Sequence, residues 1–147
     1  MRLCRTVTVH KPVDEVFAYL CDFTTTTEWD PGTVKTVRTA GEGAVGTEYQ
    51  NTSRFAGRHR QLTYVVLELV PNQRVALRGE NSTVIACDTM CFREAGSGTE
   101  VTYTADFTFK GITGLIAPLM KPAFTPARQP GTGRHGRRPG PVVRYRP

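Results

Sequence analysis

Hydrophobic and polar residues alternate along residues 2–9 and along most of the segment 33–109, with the two-residue period of half-buried β-strands. The connections between these runs carry Gly, Pro and Asn, the residues that tight turns require. The predicted strands are 2–9, 33–39, 46–55, 58–70, 74–79, 83–93 and 99–109. Consecutive strands joined by short turns pair as hairpins, so the pattern predicts an antiparallel sheet of about seven strands.

The period changes to that of a helix in two places. Apolar residues at 13, 16, 17 and 20, preceded by Pro12, predict a helix over 12–21. Residues 24–32 allow at most one short helical turn, closed by Pro31 and Gly32. An apolar stripe over 112–124 predicts a short C-terminal helix, interrupted at Pro118 and Pro122.

The last predicted strand shows which of its faces is packed. Its apolar positions are Val101, Tyr103, Ala105, Phe107 and Phe109. The positions between them are Thr, Asp or Glu, so the second face meets water.

The positive charge of the chain is concentrated at one end. The 147 residues carry a formal net charge of +6, from 19 Lys and Arg against 13 Asp and Glu. Six arginines lie beyond residue 124 with no acid among them, so residues 1–124 are formally neutral. Nucleic-acid binding is therefore not expected of the folded domain.

The segment 125–147 differs in composition from the rest. Sixteen of the 22 residues 126–147 are Pro, Arg, Gly or Ala, which offers almost no apolar surface to bury. We expect a domain over 1–124 followed by a disordered tail. Three interpretations of the tail stay open: the product of a GC-rich gene read out of frame, a plain disordered extension, or an arginine-rich nucleic-acid arm.

The remaining features predict a cytoplasmic protein without a metal or another cofactor. No apolar run is long enough to span a membrane, and the N-terminus lacks the apolar stretch of a secretion signal. The four cysteines include no Cys-x-x-Cys pair, and Cys87 and Cys91 are expected to be free, buried thiols. The sequence makes no prediction of oligomeric state.

Several segments together resemble the START-like SRPBCC superfamily, whose bacterial members include polyketide cyclase/dehydrase and lipid-transport proteins. These segments are PVDEVFAYLCDF at 12–23, EWDP at 28–31, GTEY at 46–49, LTYVVLE at 62–68 and GTEVTY at 98–103. The resemblance covers residues 1 to about 124. It implies an α+β helix-grip fold: a curved antiparallel sheet, two short N-terminal helices and a C-terminal helix, which here is shortened.

The same resemblance implies an internal cavity for a hydrophobic small molecule. Aromatic residues on the strand faces and in the segment after the first helix are the candidate ligand contacts: Trp29, Tyr49, Tyr64, Tyr103 and Phe107. No catalytic set can be assigned, since Arg54 and His59 flank a predicted turn and are expected to face solvent.

Three functions are therefore compatible with the sequence. The first is binding of a lipid or polyketide-like molecule without catalysis. The second is an enzyme of the cyclase/dehydrase type, which holds a reactive chain in shape. The third is an interaction module with a protein partner or, through the tail, nucleic acid.

Overall fold

Seven strands that follow one another along the chain form one curved antiparallel sheet in the computed structural model, which describes residues 1–111 and 143–145. The strands are β1 (Arg2–Val9), β2 (Thr33–Ala40), β3 (Glu48–Phe55), β4 (Arg58–Val70), β5 (Arg74–Glu80), β6 (Val84–Ala95) and β7 (Gly98–Phe109). These seven strands lie in the order β2-β3-β4-β5-β6-β7-β1, so β1 is placed out of sequence beside β7, and a short strand β8 (Val143–Tyr145) lies beyond it. The predicted helix-grip sheet is confirmed.

Two short helices lie between β1 and β2. Helix α1 (Val13–Cys21) starts after Pro12 and buries the Val, Phe and Leu side chains of its predicted stripe. A 3-10 turn (Phe23–Thr25) follows, and the Asp22 carboxylate accepts a hydrogen bond from the Thr24 amide at 3.1 Å. Helix α2 (Thr26–Trp29) completes the pair. The predicted C-terminal helix over 112–124 lies outside the described residues.

The turns follow the residues that favour them. The β3–β4 hairpin turns at Ala56 and Gly57, which have φ angles of 49° and 76°. The predicted strand 46–55 begins two residues late, at Glu48, because Gly46 has a φ of 90° that an extended strand does not contain. Elsewhere the predicted strand ends agree with the structure to within about two residues.

The four cysteines form no disulfide, but the expectation that Cys87 and Cys91 are buried is wrong. On β6 the buried positions are the even ones from Val84 to Phe92. Both cysteines occupy odd positions, and their side chains are exposed on the opposite face of the sheet.

Three residues of the predicted tail lie in the described part of the chain. Val143–Tyr145 form strand β8, antiparallel to β1, with Thr8 opposite Arg144. This strand was not among the predicted elements. The proposed division into a domain over 1–124 and a tail over 125–147 otherwise falls largely on residues outside the described ranges.

A glycine on β5 leaves room on the inner sheet face for a large side chain from the neighbouring strand β4. Tyr64 on β4 is paired with Gly79 on β5, and both face the core. A Cβ atom at Gly79 would lie 2.6 Å from Cε1 and Cζ of Tyr64. The Tyr64 ring therefore lies flat over β5 in the space that any other residue at position 79 would fill.

We expect Gly79→Ala to lower the free energy of unfolding by about 1–3 kcal/mol, because the added methyl group displaces a buried ring. Urea denaturation measures this. In a Tyr64→Leu background the same change should cost little or even stabilise, since the ring is gone and alanine suits a strand better than glycine. An equal cost in both backgrounds would contradict this account of Gly79.

Candidate functional site

One end of the inner sheet face encloses a cavity of about 110 Å³. We call it the aromatic pocket. Its walls are formed by the segment 23–33, by strands β3, β4, β6 and β7, and by the connection between β5 and β6. The lining residues are Phe23, Thr26, Trp29, Asp30, Thr33, Asn51, Ser53, Phe55, Arg60, Leu62, Tyr64, Asn81, Thr83, Val84, Asp88, Tyr103, Phe107 and Phe109. The volume is of the order of an engineered apolar cavity that takes one benzene molecule, so a larger ligand would extend beyond the enclosed space.

An acid lies in the wall of this pocket. Asp88 stands in the middle of β6 on its inward face, between Ala86 and Met90, and only 3% of it is exposed. Its Oδ1 atom is the one buried side-chain nitrogen or oxygen, among the described residues, that has no hydrogen-bond partner. Burying a carboxylate oxygen without a hydrogen-bond partner lowers the stability of the fold. Such a group in the wall of a pocket is therefore a candidate for a functional role.

Burial raises the pKa of Asp88 to about 7, because the apolar surroundings disfavour the charged form. Hydrogen bonding to the phenols of Tyr64 and Tyr103 acts in the opposite direction, and the carboxylates of Asp30 and Asp106 add to the increase. The carboxyl group of Asp88 therefore changes charge near neutral pH.

The two tyrosines approach Asp88 from opposite sides. Tyr64 reaches over Gly79 on β5, and Tyr103 comes from β7, where it is paired with Met90. Burial raises the pKa of both phenols well above their ordinary value, and the nearby Asp88 carboxylate adds to the increase. Both phenols therefore remain protonated at neutral pH and can donate hydrogen bonds.

Aromatic rings form the rest of the inner wall. The Trp29 ring meets Tyr103 edge to face at 5.9 Å between centroids, and Phe107 and Phe109 stack at 6.5 Å. The Trp29 indole N–H donates to Thr25 Oγ1 at 3.1 Å, which fixes the ring at the end of α2. These rings offer broad apolar faces to a ligand.

A hydrogen-bonded polar group closes the β2–β3 side. The buried Asn51 side chain donates from Nδ2 to Thr36 Oγ1 at 2.8 Å and to Thr33 Oγ1 at 3.1 Å. Thr33 donates in turn to Asp30 Oδ2 at 2.7 Å, and Thr26 shares a 2.6 Å hydrogen bond with Thr36. Each of these groups has a hydrogen-bond partner, so this side of the pocket is polar and its hydrogen bonding is satisfied within the protein.

Four of the five side chains predicted as ligand contacts line the aromatic pocket: Trp29, Tyr64, Tyr103 and Phe107. Tyr49 does not line it. Tyr49 is 1% exposed and packs edge to face on Phe23 at 5.9 Å, so it supports a wall residue from behind. Whether any of these residues contacts a ligand stays a prediction.

The sequence reasoning missed Asp88. Its signal was present: positions 84, 86, 90 and 92 are Val, Ala, Met and Phe, and Asp88 interrupts this apolar series. The other face of β6 carries Ile85, Cys87 and Cys91, which made the inward face of the strand ambiguous. The predicted solvent exposure of Arg54 and His59 is confirmed.

The part of the chain that the structure describes contains no group of three His, Cys, Asp or Glu residues placed to hold a metal ion. In the same part, no helix has the length and apolar character to cross a membrane.

Comparison with known proteins agrees with this geometry. Residues 2–137 match the family described as "Polyketide cyclase / dehydrase and lipid transport". The chain belongs to this family. The match ends inside the segment predicted as a tail, and no curated protein matches the chain.

Solved structures share the cyclase/dehydrase and lipid-transport fold. The Zhui aromatase/cyclase from Streptomyces sp. R1128 has a TM-score of 0.66 at 21% identity, over 76% of this chain and 69% of that one. A START superfamily protein from Mycobacterium smegmatis has a TM-score of 0.68 at 13% identity, over 83% and 85%. A protein from Thermus thermophilus reaches 0.71 at 16% identity, over 84% and 86%. At these identities the likeness establishes the fold.

We expect the stability of the domain to carry a pH dependence from Asp88. The pKa of about 7 in the folded state lies above the ordinary value of 3.8. The stabilising contribution is therefore complete below about pH 4 and is lost as the pH rises through about 7, by up to roughly 2–4 kcal/mol. Asp88→Asn should remove this dependence, which urea unfolding at pH 5 and pH 8 measures.

The matched control is Asp106→Asn on β7, whose side chain is partly exposed and lies 3.3 Å from Arg2. This variant should keep most of the loss of stability between pH 5 and pH 8. If Asp88→Asn and the unchanged chain lose the same stability over that range, Asp88 is not the buried titrating group.

Proposed function

We propose that the domain binds a hydrophobic small molecule, lipid or polyketide-like, in the aromatic pocket. The observation that carries the proposal is the cavity itself: a group of aromatic side chains surrounds open space at one end of the sheet. At the other end the same sheet face is packed solid, with Phe17 against Phe92 at 5.1 Å. Open space lined by aromatic rings and a few polar groups is typical of ligand sites.

Family membership supports the proposal. The family description covers both polyketide cyclases and lipid transport, and a similar structure is named an aromatase/cyclase. All of these activities require an apolar molecule to be enclosed. Binding is therefore the property that the alternatives within the family share.

Binding can be followed through Trp29, the single tryptophan of the chain. We expect a neutral bicyclic probe such as 2-naphthol to change the Trp29 emission and to give a saturable isotherm in calorimetry. Phe107→Ala should weaken this binding about tenfold or more, since an aromatic contact of about 1.5–3 kcal/mol is lost.

The control variant is Leu67→Ala, which truncates an apolar side chain that is 54% exposed on β4. It should leave the probe affinity unchanged. Native mass spectrometry of protein purified from cells gives a second readout, a co-purifying apolar compound. If neither readout detects a ligand, the proposal is wrong; if a bound probe leaves the emission unchanged, Trp29 is not a contact.

One observation favours a second function, catalysis of the cyclase/dehydrase type. Asp88 is a buried acid that changes charge near neutral pH, and the Tyr64 and Tyr103 phenols lie beside it. As a carboxylate it could remove a proton from the carbon next to a ligand carbonyl. As a carboxylic acid it could return that proton to a departing hydroxyl, which leaves as water.

A β-hydroxyketone that is able to dehydrate tests this function. If Asp88 acts as the acid and base, Asp88→Asn should lose turnover by at least about a hundredfold while neutral compounds still bind. The Asp106→Asn variant should retain its rate. Equal rates in all three proteins would exclude a catalytic Asp88.

A further inference from the structure

The unsatisfied oxygen of Asp88 marks a place for a hydrogen-bond donor. Asp88 lines the aromatic pocket, is 3% exposed, and its Oδ1 has no partner among the described residues. The terminal torsion of an aspartate is broad and roughly two-fold, so rotation about it can turn either oxygen toward the cavity. A donor on a bound molecule would complete the hydrogen bonding that the protein leaves incomplete.

The charges around the pocket favour a cationic donor. Asp88 and Asp30 both line it, and the only Lys or Arg among the described lining residues is Arg60, which is exposed on β4 near the hairpin. Asp30 is held in place by the Gly32 amide at 3.0 Å and the Thr33 hydroxyl at 2.7 Å. The charge of the Asp30 carboxylate contributes to the raised pKa values of Asp88 and of the Tyr64 and Tyr103 phenols. Two carboxyl groups therefore line the pocket, against one exposed guanidinium group.

The rings beside Asp88 suit a cation as well. Trp29 and Tyr103 meet at 5.9 Å, and the stacked pair Phe107 and Phe109 lines the same wall. The electron-rich face of an aromatic ring attracts an ammonium group, and this attraction increases when water is excluded.

We infer that the pocket selects hydrophobic amines, whose protonated nitrogen pairs with Asp88 while the apolar part lies against the aromatic rings. The inference rests on the proposed binding function and names its ligand class. A neutral alcohol of the same shape fills the same space with a weaker hydrogen bond. A carboxylate of the same shape is repelled by Asp30 and Asp88.

Four compounds of nearly equal size separate these cases: benzylamine, benzyl alcohol, toluene and benzoate. Calorimetry at pH 7 should show benzylamine binding about tenfold or more tightly than benzyl alcohol, and benzoate not binding. Asp88→Asn should abolish the preference for the amine, a loss of about tenfold to a hundredfold in affinity, and should leave toluene nearly unchanged. Asp106→Asn, the same change on the other face of the neighbouring strand, should keep the preference.

The release of protons when benzylamine binds provides a second readout. A purely structural role of Asp88 would not affect this release. The groups that shift the pKa of Asp88 are Tyr64, Tyr103, Asp30 and Asp106, and burial raises that pKa to about 7. A bound ammonium favours the carboxylate, so benzylamine binding at pH 7 should release a fraction of a proton from the protein. Calorimetry in two buffers of different ionisation enthalpy measures this. Asp88→Asn should release none.

The results distinguish this inference from the proposed function. If toluene and benzyl alcohol bind but benzylamine binds no more tightly, the pocket binds apolar molecules and only the inference is overturned. The inference is equally overturned if Asp88→Asn keeps the amine preference or the proton release. If none of the four compounds binds, the inference is overturned, and the 2-naphthol titration and native mass spectrometry decide the proposed function separately.

Discussion

The candidate site depends on a carboxyl group that is buried on the inner face of the sheet, where its burial lowers the stability of the fold. Asp88 takes the place of an apolar residue in the middle of β6, and burial shifts its pKa to about 7. Around it, Tyr64 and Tyr103 supply donors, and Gly79 leaves the space that the Tyr64 ring needs to reach across β5. Such a group lowers stability, and proteins commonly accept this cost where the group has a function.

The inner face of the sheet divides into two regions with different packing. Helix α1 covers one end, where Phe17 contacts Phe92 in a closed core. The other end is lined by buried and half-buried rings that leave a cavity. Strand β7 runs through both regions, from the buried Val101 to Phe107 and Phe109, so one rigid strand connects the core to the pocket. The pocket rings are thus positioned by the same hydrogen bonds that hold the sheet together.

Much of the fold could be predicted because its signals are local. Two-residue alternation placed each of the seven strands, and Pro12 with a 3.6-residue stripe placed α1. The misses have equally local causes: the positive φ of Gly46 delays β3, and strand β8 consists of residues from a segment with almost no apolar pattern. The burial of Cys87 was misjudged because both faces of β6 carry apolar residues.

The sequence by itself determined the sheet, the first helix and which face of β7 carries Tyr103 and Phe107, because the direction of a side chain along a strand depends only on its parity. Which of the inward-facing side chains line the pocket, and which are covered by other residues, was decided by tertiary structure alone. Tyr49 and Tyr64 are paired directly across β3 and β4 and both pack on Phe23, yet only Tyr64 lines the pocket, since Gly79 makes room for its ring over β5. The environment of Asp88 likewise arises from strands far apart in sequence, whose approach no local pattern encodes.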